Sequence, residues 1–168
     1  MVIRAVITDC DGVLTDGGVY VGPEGELMKR FSIRDGMGVE RLRDAGIEVG
    51  IISGETSPAL ASRAEKLRIR ELHLGVREKL AVIDGICHRL GCDRSNIAYI
   101  GDDVNDVAVM REVGFSGCPA DALPQAKAVA DHVCRADGGH GAFREFAETV
   151  LERIGYADNR YDPRETTR

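Results

Sequence analysis

No apolar run in this sequence approaches the roughly 20 residues needed to cross a bilayer, so no membrane span is expected. The first residues, Met1 to Cys10, lack the basic and apolar regions of a signal peptide and read directly as a strand. Basic residues are in the minority. The 22 Lys and Arg against 28 Asp and Glu leave a net charge of −6, which offers no electrostatic footprint for nucleic acid. The five cysteines (Cys10, Cys87, Cys92, Cys118, Cys134) are odd in number and show no CxxC or metal-finger spacing. Reduced, mostly buried thiols in a cytoplasmic protein are expected. No internal repeat is present. What remains is a chain of 168 residues, 43% hydrophobic and 30% charged, which suits one soluble domain over residues 1–156. The polar segment 157–168 lacks periodicity and is expected to be a flexible tail. A small anionic ligand must then be met by a local cluster of donors and metal.

Apolar β-branched runs alternate with helical patterns. Strands are expected at Val2 to Thr8, Glu48 to Ile52, Leu72 to Leu74, Ile97 to Ile100, Phe115 to Gly117 and His132 to Cys134. Helices are expected at Gly36 to Ala45, Thr56 to Leu67, Glu78 to Leu90, Val104 to Val113, near Pro124 to Ala130, and at Gly141 to Ile154. This alternation predicts a three-layer, Rossmann-like α/β fold with a mainly parallel sheet, whose ligands bind at the carboxyl ends of the strands. One segment breaks the pattern. Gly18 to Ile33 alternates like two short strands around Gly22-Pro23-Glu24-Gly25 and reads as an inserted β-hairpin. A lone hairpin is marginal in water, so it is expected to pack on something, such as a second subunit.

The residues that carry chemistry sit at strand ends. Asp9 and Asp11, in Asp9-Cys10-Asp11-Gly12, place two carboxylates in one loop beside a possible cation. A carboxylate is a competent nucleophile toward phosphorus when a metal neutralises the phosphate it attacks. The second carboxylate can then protonate a leaving alcohol and later activate water. Asp102, Asp103 and Asp106 cluster after the Ile97 to Ile100 strand. If a helix starts there, Asp102 and Asp106 share a face, where like charges call for a cation, and oxygen ligands point to magnesium. Acidic residues at a helix start also serve as plain caps, which is the blander reading of Asp103. Ser53 ends another strand, where its hydroxyl and the following amides can hold a phosphate oxygen. Lys79 opens a helix, an unfavourable place for a cation unless it faces carboxylates and phosphate.

The DxD pair, the strand-end Ser53, Lys79 and the Gly101-Asp102-Asp103 cluster, in that order, resemble the four motifs of haloacid dehalogenase phosphatases. The resemblance runs from Val2 to about Ile154. It implies a magnesium-dependent phosphomonoester hydrolase working through an aspartyl phosphate. Asp9 matches the nucleophile, Asp11 the acid/base, and Ser53 and Lys79 the phosphate holders. Asp9, Asp102 and the Asp11 carbonyl match the metal ligands, supported by Asp103 or Asp106. A phosphoryl-accepting receiver domain fits less well, because its acceptor Asp ends the middle strand, where this chain has Ser53.

The chain leaves no room for a cap domain. Asp16-Gly17-Gly18 and Phe31 to Gly36 look like the phosphatases of 3-deoxy-2-ulosonic acid phosphates, which implies homotetramers with active sites at subunit boundaries. Octulosonate (KDO) 8-phosphate phosphatases typically have Gly-Arg after the second-motif residue, whereas this chain has Gly54-Glu55. Glu55, together with Lys66, resembles the nonulosonate (KDN or sialic-type) 9-phosphate phosphatases. The nine-carbon substrate is therefore the expectation, and the KDO 8-phosphate is the alternative. Gly54, Glu55, Lys66, Arg34 and Arg144 are the candidate substrate contacts, with Lys66 reaching from a neighbouring subunit. A catalytically silent module of the kind that sits behind sugar cytidylyltransferases is a further alternative, although such modules commonly lose motif residues that are all present here.

Overall fold

The computed structural model describes residues 2–157. Eleven residues of the polar segment expected as a tail therefore lie outside the described residues. The central sheet has six strands: β1 (Ala5–Thr8), β4 (Glu48–Ile52), β5 (Glu71–His73), β6 (Ile97–Ile100), β7 (Phe115–Cys118) and β8 (His132–Val133). Their order is β5-β4-β1-β6-β7-β8, and every neighbouring pair is parallel. The first strand in sequence lies in the middle, flanked by β4 and β6 in matched register, with Ala5 opposite both Glu48 and Ile97.

Strand periodicity divides the core. In β1, Val6 points to one face while Ala5 and Ile7 point to the other. In β6, Ala98 and Ile100 join Val6, and Ile97 and Tyr99 join Ile7. The first face is covered by α1 (Ile33–Asp44), α2 (Pro58–Lys66) and α6 (Ala142–Arg153), through Val39, Leu42, Leu60, Phe143, Phe146 and Val150. The second is covered by α3 (Lys79–Leu90), α4 (Val107–Glu112) and α5 (Pro124–Lys127), through Ile83, Ile86, Val109, Met110 and Ala126. Helices on both faces of a parallel sheet explain why its central strands β1 and β6 are buried along their whole length. Phe115 stacks on Phe146 with ring centroids 5.3 Å apart, fixing α6 to the sheet.

Two helix starts depart from the sequence reading. The first helix begins at Ile33, not Gly36, because Ser32 caps it by accepting the Arg34 amide. The fourth begins only at Val107, so Asp102 to Asp106 form a turn, and Asp102 and Asp106 do not share a helix face. The hairpin is where the sequence puts it: β2 (Tyr20–Gly22) pairs antiparallel with β3 (Gly25–Met28) across the Pro23-Glu24 turn. It forms a separate two-stranded sheet whose apolar side chains Tyr20, Val21, Leu27 and Met28 are all more than half exposed.

Candidate active site

Four loops at the carboxyl ends of β1, β4, β6 and the α3 start converge. Asp9 follows β1 directly, its amide bonded to Ile100 O at 3.0 Å. The chain then turns so tightly that the amides of Val13, Leu14 and Thr15 all donate to the Cys10 carbonyl. Gly12 makes this turn possible with φ at +88°, and it leaves space for Asp102: a Cβ there would lie 2.0 Å from Asp102 Oδ2. The Gly138-Gly139 loop backs the same turn, with the Gly139 amide bonded to Val13 O at 2.9 Å.

Lys79 is the hub of the buried charges. Its side chain is 1% exposed, and Nζ donates to Asp9 Oδ1 at 2.9 Å and Asp106 Oδ1 at 2.7 Å. A lysine at a helix start is stable here because two carboxylates outweigh the helix dipole. Asp106 is fully buried. Oδ1 accepts from Lys79 and from the Tyr99 hydroxyl, and Oδ2 accepts from the amides of Asp102 and Asp103. Those four bonds use the four lone-pair sites of a carboxylate. Asp106 therefore orients Lys79 and the Asp102 turn. Asp103 lies at the rim, its Oδ1 accepting the Val104 amide.

Oxygen atoms of Asp9, Asp102 and Asp106 lie within 4.8 Å of one another. Burial, with Asp106 adding its charge and Lys79 opposing, pushes the Asp9 carboxyl up to about 6. Burial and the charges of Asp9, Asp106 and Asp103 push Asp102 up to about 8. Asp102 Oδ1 is buried without a hydrogen-bond partner. Crowded carboxylates and an orphaned oxygen describe a place built for a cation, and an all-oxygen donor set suits magnesium. Asp9 and Asp102 have the free lone pairs to hold it.

A cavity of about 170 Å³ opens over this cluster, lined by Asp9, Asp11, Ser53, Gly54, Glu55 and Asp102 among others. A second, of about 470 Å³, shares Asp11 and Glu55 with it and is walled by hairpin residues Val19, Val21, Glu26 and Lys29. Seven residues expected from the sequence, Asp9, Asp11, Ser53, Gly54, Glu55, Asp102 and Asp103, thus line one cavity, with Lys79 beneath them. Three others do not join them within the chain. Arg34 is exposed on the first turn of α1, and Lys66 is exposed at the end of α2. Arg144 is bonded through Nε to Glu148 at 2.6 Å.

Three participants were not expected. Lys29 Nζ lies 2.7 Å from both oxygens of Asp11. Glu26 joins it at 3.5 Å, and Tyr99 lies under Lys79. A lysine in a hairpin and a tyrosine in a buried strand carry no sequence signal for these contacts.

A family model described as haloacid dehalogenase-like hydrolase matches residues 71–145. The 3-deoxy-D-manno-octulosonate 8-phosphate phosphatase of Haemophilus influenzae is 41% identical over 153 residues, covering 91% of this chain and 85% of that protein. The chain belongs to the haloacid dehalogenase-like hydrolases. Like the relatives it matches, this hydrolase is a phosphatase. The structure of the cobalt-bound form of the Haemophilus influenzae enzyme superposes with a TM-score of 0.88 at 41% identity, covering 91% of this chain and 90% of that one. The corresponding phosphatase of Moraxella catarrhalis, solved with magnesium, phosphate and KDO, superposes at 0.87 with 36% identity, covering 92% and 89%. Divalent ions in both neighbours agree with the acidic cluster of this hydrolase.

Proposed function

We propose that this hydrolase cleaves 3-deoxy-D-manno-octulosonate 8-phosphate to the free sugar acid and phosphate, through a phosphorylated Asp9. The observation that carries the reading is a complete Asp9, Asp11, Ser53, Lys79 and Asp102 set in a chain about 40% identical, over nine-tenths of its length, to phosphatases of that substrate. A magnesium ion held by Asp9, Asp102 and the Asp11 carbonyl would supply charge neutralisation to the phosphate. An Asp9 oxygen attacks phosphorus while Lys79 holds the other end of that carboxylate and the phosphate charge. Asp11 gives a proton to the departing alcohol and later takes one from water. Ser53 and the amides after it hold phosphate oxygens. The rest of the sugar extends past Glu55 into the larger cavity, whose hairpin wall takes the place of a cap.

The nine-carbon reading keeps one point in its favour, since Glu55 lines both cavities and can accept from sugar hydroxyls. Phosphate release from KDO 8-phosphate, KDN 9-phosphate and N-acetylneuraminate 9-phosphate, with magnesium and with chelator, separates the two. The eight-carbon ester is expected to give the highest kcat/KM. A nine-carbon preference would transfer specificity to Glu55 and Lys66, and no release from any of them would leave the silent module.

The hairpin supports a homotetramer in which Lys66 acts across a subunit boundary. Tyr20, Val21, Leu27 and Met28 are 55–69% exposed on one small sheet. Sedimentation of the wild-type chain against Val21→Glu/Leu27→Glu tests this; an unchanged mass would remove the hairpin from assembly.

A further inference from the structure

The hairpin reaches the chemistry through one charged side chain. Lys29 follows β3, and its side chain is only 3% exposed. Its ammonium bonds both Asp11 oxygens at 2.7 Å and stands 3.5 Å from Glu26. Glu26 is itself fixed: its Oε1 accepts from Ser57 Oγ at 2.7 Å and from the Ala59 amide at 3.3 Å. Ser57 is the cap of α2, the helix that follows the Ser53-Gly54-Glu55 loop. One chain of contacts thus ties the start of α2, through the hairpin, to Asp11. The only other polar neighbours of the Asp11 carboxyl among the described residues are weak: Thr15 Oγ1 at 3.3 Å and Cys10 Sγ at 3.9 Å. Without Lys29 the Asp11 carboxyl would be free to rotate.

Resting on the phosphatase reading, we propose that Lys29 is the positioning residue that holds Asp11 for the water-activating half of the reaction. In that step water loses a proton to an Asp11 oxygen, and the water oxygen bonds to phosphorus. The bond from phosphorus to the Asp9 oxygen breaks, its electron pair returning to Asp9. A carboxylate gripped by Lys29 through both oxygens is fixed in orientation, and Oδ2, which accepts from Lys29 alone among the described residues, keeps a lone-pair site for water. The hairpin is in this way part of the catalytic apparatus as well as a surface feature.

The test separates the half-reactions. The substrate is p-nitrophenyl phosphate, whose leaving group departs without needing a proton, and the variant is Lys29→Met in the full chain with magnesium. Because kcat/KM reports steps up to the first irreversible one, it is expected to stay within about threefold of wild type. Meanwhile kcat and KM fall together, on the order of 10²-fold for a misplaced base. Acid quench and mass spectrometry are expected to show one phosphoryl group accumulating on Asp9. Lys29→Ala with added ethylammonium guards against misfolding: recovery of kcat with the amine is expected, and no recovery overturns the proposal. So does a fall in kcat and kcat/KM together without the phosphorylated species, or wild-type kinetics in Lys29→Met. Absence of magnesium-dependent turnover in the wild type would instead refute the phosphatase reading and this inference with it.

Discussion

Gly12→Ala offers a direct test of the metal-site geometry. The added Cβ would lie 2.0 Å from Asp102 Oδ2 and 2.5 Å from its Cγ, where a relaxed carbon–oxygen contact is about 3.3 Å. The carboxylate must therefore retreat by roughly 1.3 Å, while metal–ligand distances tolerate only about 0.2 Å. No hydrogen bond from the protein holds Asp102 Oδ1, so the side chain has nothing to keep it in register. Disturbing a supporting group around a metal typically loses about 10–100-fold in affinity, and displacing a ligand should lose at least that. The backbone contributes separately, since φ at +88° costs an alanine about 1–2 kcal/mol. Gly46→Ala is the control, because Gly46 has φ at +77° with nothing within 4 Å of its added Cβ. Both variants should melt a few degrees lower than wild type, at about 2–4 °C per kcal/mol. Only Gly12→Ala should raise the magnesium concentration giving half-maximal phosphate release, and lose the thermal shift that magnesium gives. Equal magnesium midpoints in the two variants would refute the assignment of Asp102 as a ligand held in place by the missing side chain.

Asp9→Asn should abolish phosphate release and leave no phosphorylated protein in the mass spectrum; turnover at the wild-type rate would remove Asp9 as nucleophile. Asp106→Ala takes from Lys79 one of its two carboxylate partners and from two amides their acceptor, and urea unfolding should register a loss of about 3–5 kcal/mol. Tyr99→Phe removes one donor from the same carboxylate and should lose about 1 kcal/mol, so equal losses in the two variants would deny Asp106 its central place. Asp35, outside the site, is pushed up to about 6 by burial, against the Arg144 amide and the Arg63 charge. The folded state then binds its proton more tightly than the unfolded chain, so the stability linked to Asp35 is present at low pH and is lost as pH rises from about 4 through 6. Asp35→Asn should gain on wild type over that window, by up to about 3 kcal/mol at 1.36 kcal/mol per pH unit, and parallel stability curves would contradict this.

The buried strands were legible because a parallel sheet covered on both faces demands mainly apolar residues, as at Glu48–Ile52 and Ile97–Ile100. The hairpin was legible from its Gly-Pro-Glu-Gly turn. The helix α1 starts one turn before the expected Gly36, at the cap signal that Ser32-Ile33-Arg34-Asp35 carries. The Asp102 to Asp106 turn was misread because Asp106 is spent on buried partners, and only tertiary structure reveals who they are. Lys29 stayed hidden since its partner lies eighteen positions earlier, across a hairpin whose placement over the site follows from no local pattern. Motif residues at strand ends can thus be read one by one, whereas the side chains that hold them are chosen by packing.

The contact between Gly139 and Val13 sets a condition on the birth of the enzyme. The central strand and its nucleophile loop leave the ribosome well before the glycine loop that backs them and α6 beyond it. At about 5–20 residues per second, β1 waits on the order of ten seconds for its last neighbours. Through that interval the nucleophile loop and its cluster of unneutralised carboxylates must wait without the glycine loop that backs them. Activity should therefore emerge all at once, with the final helix.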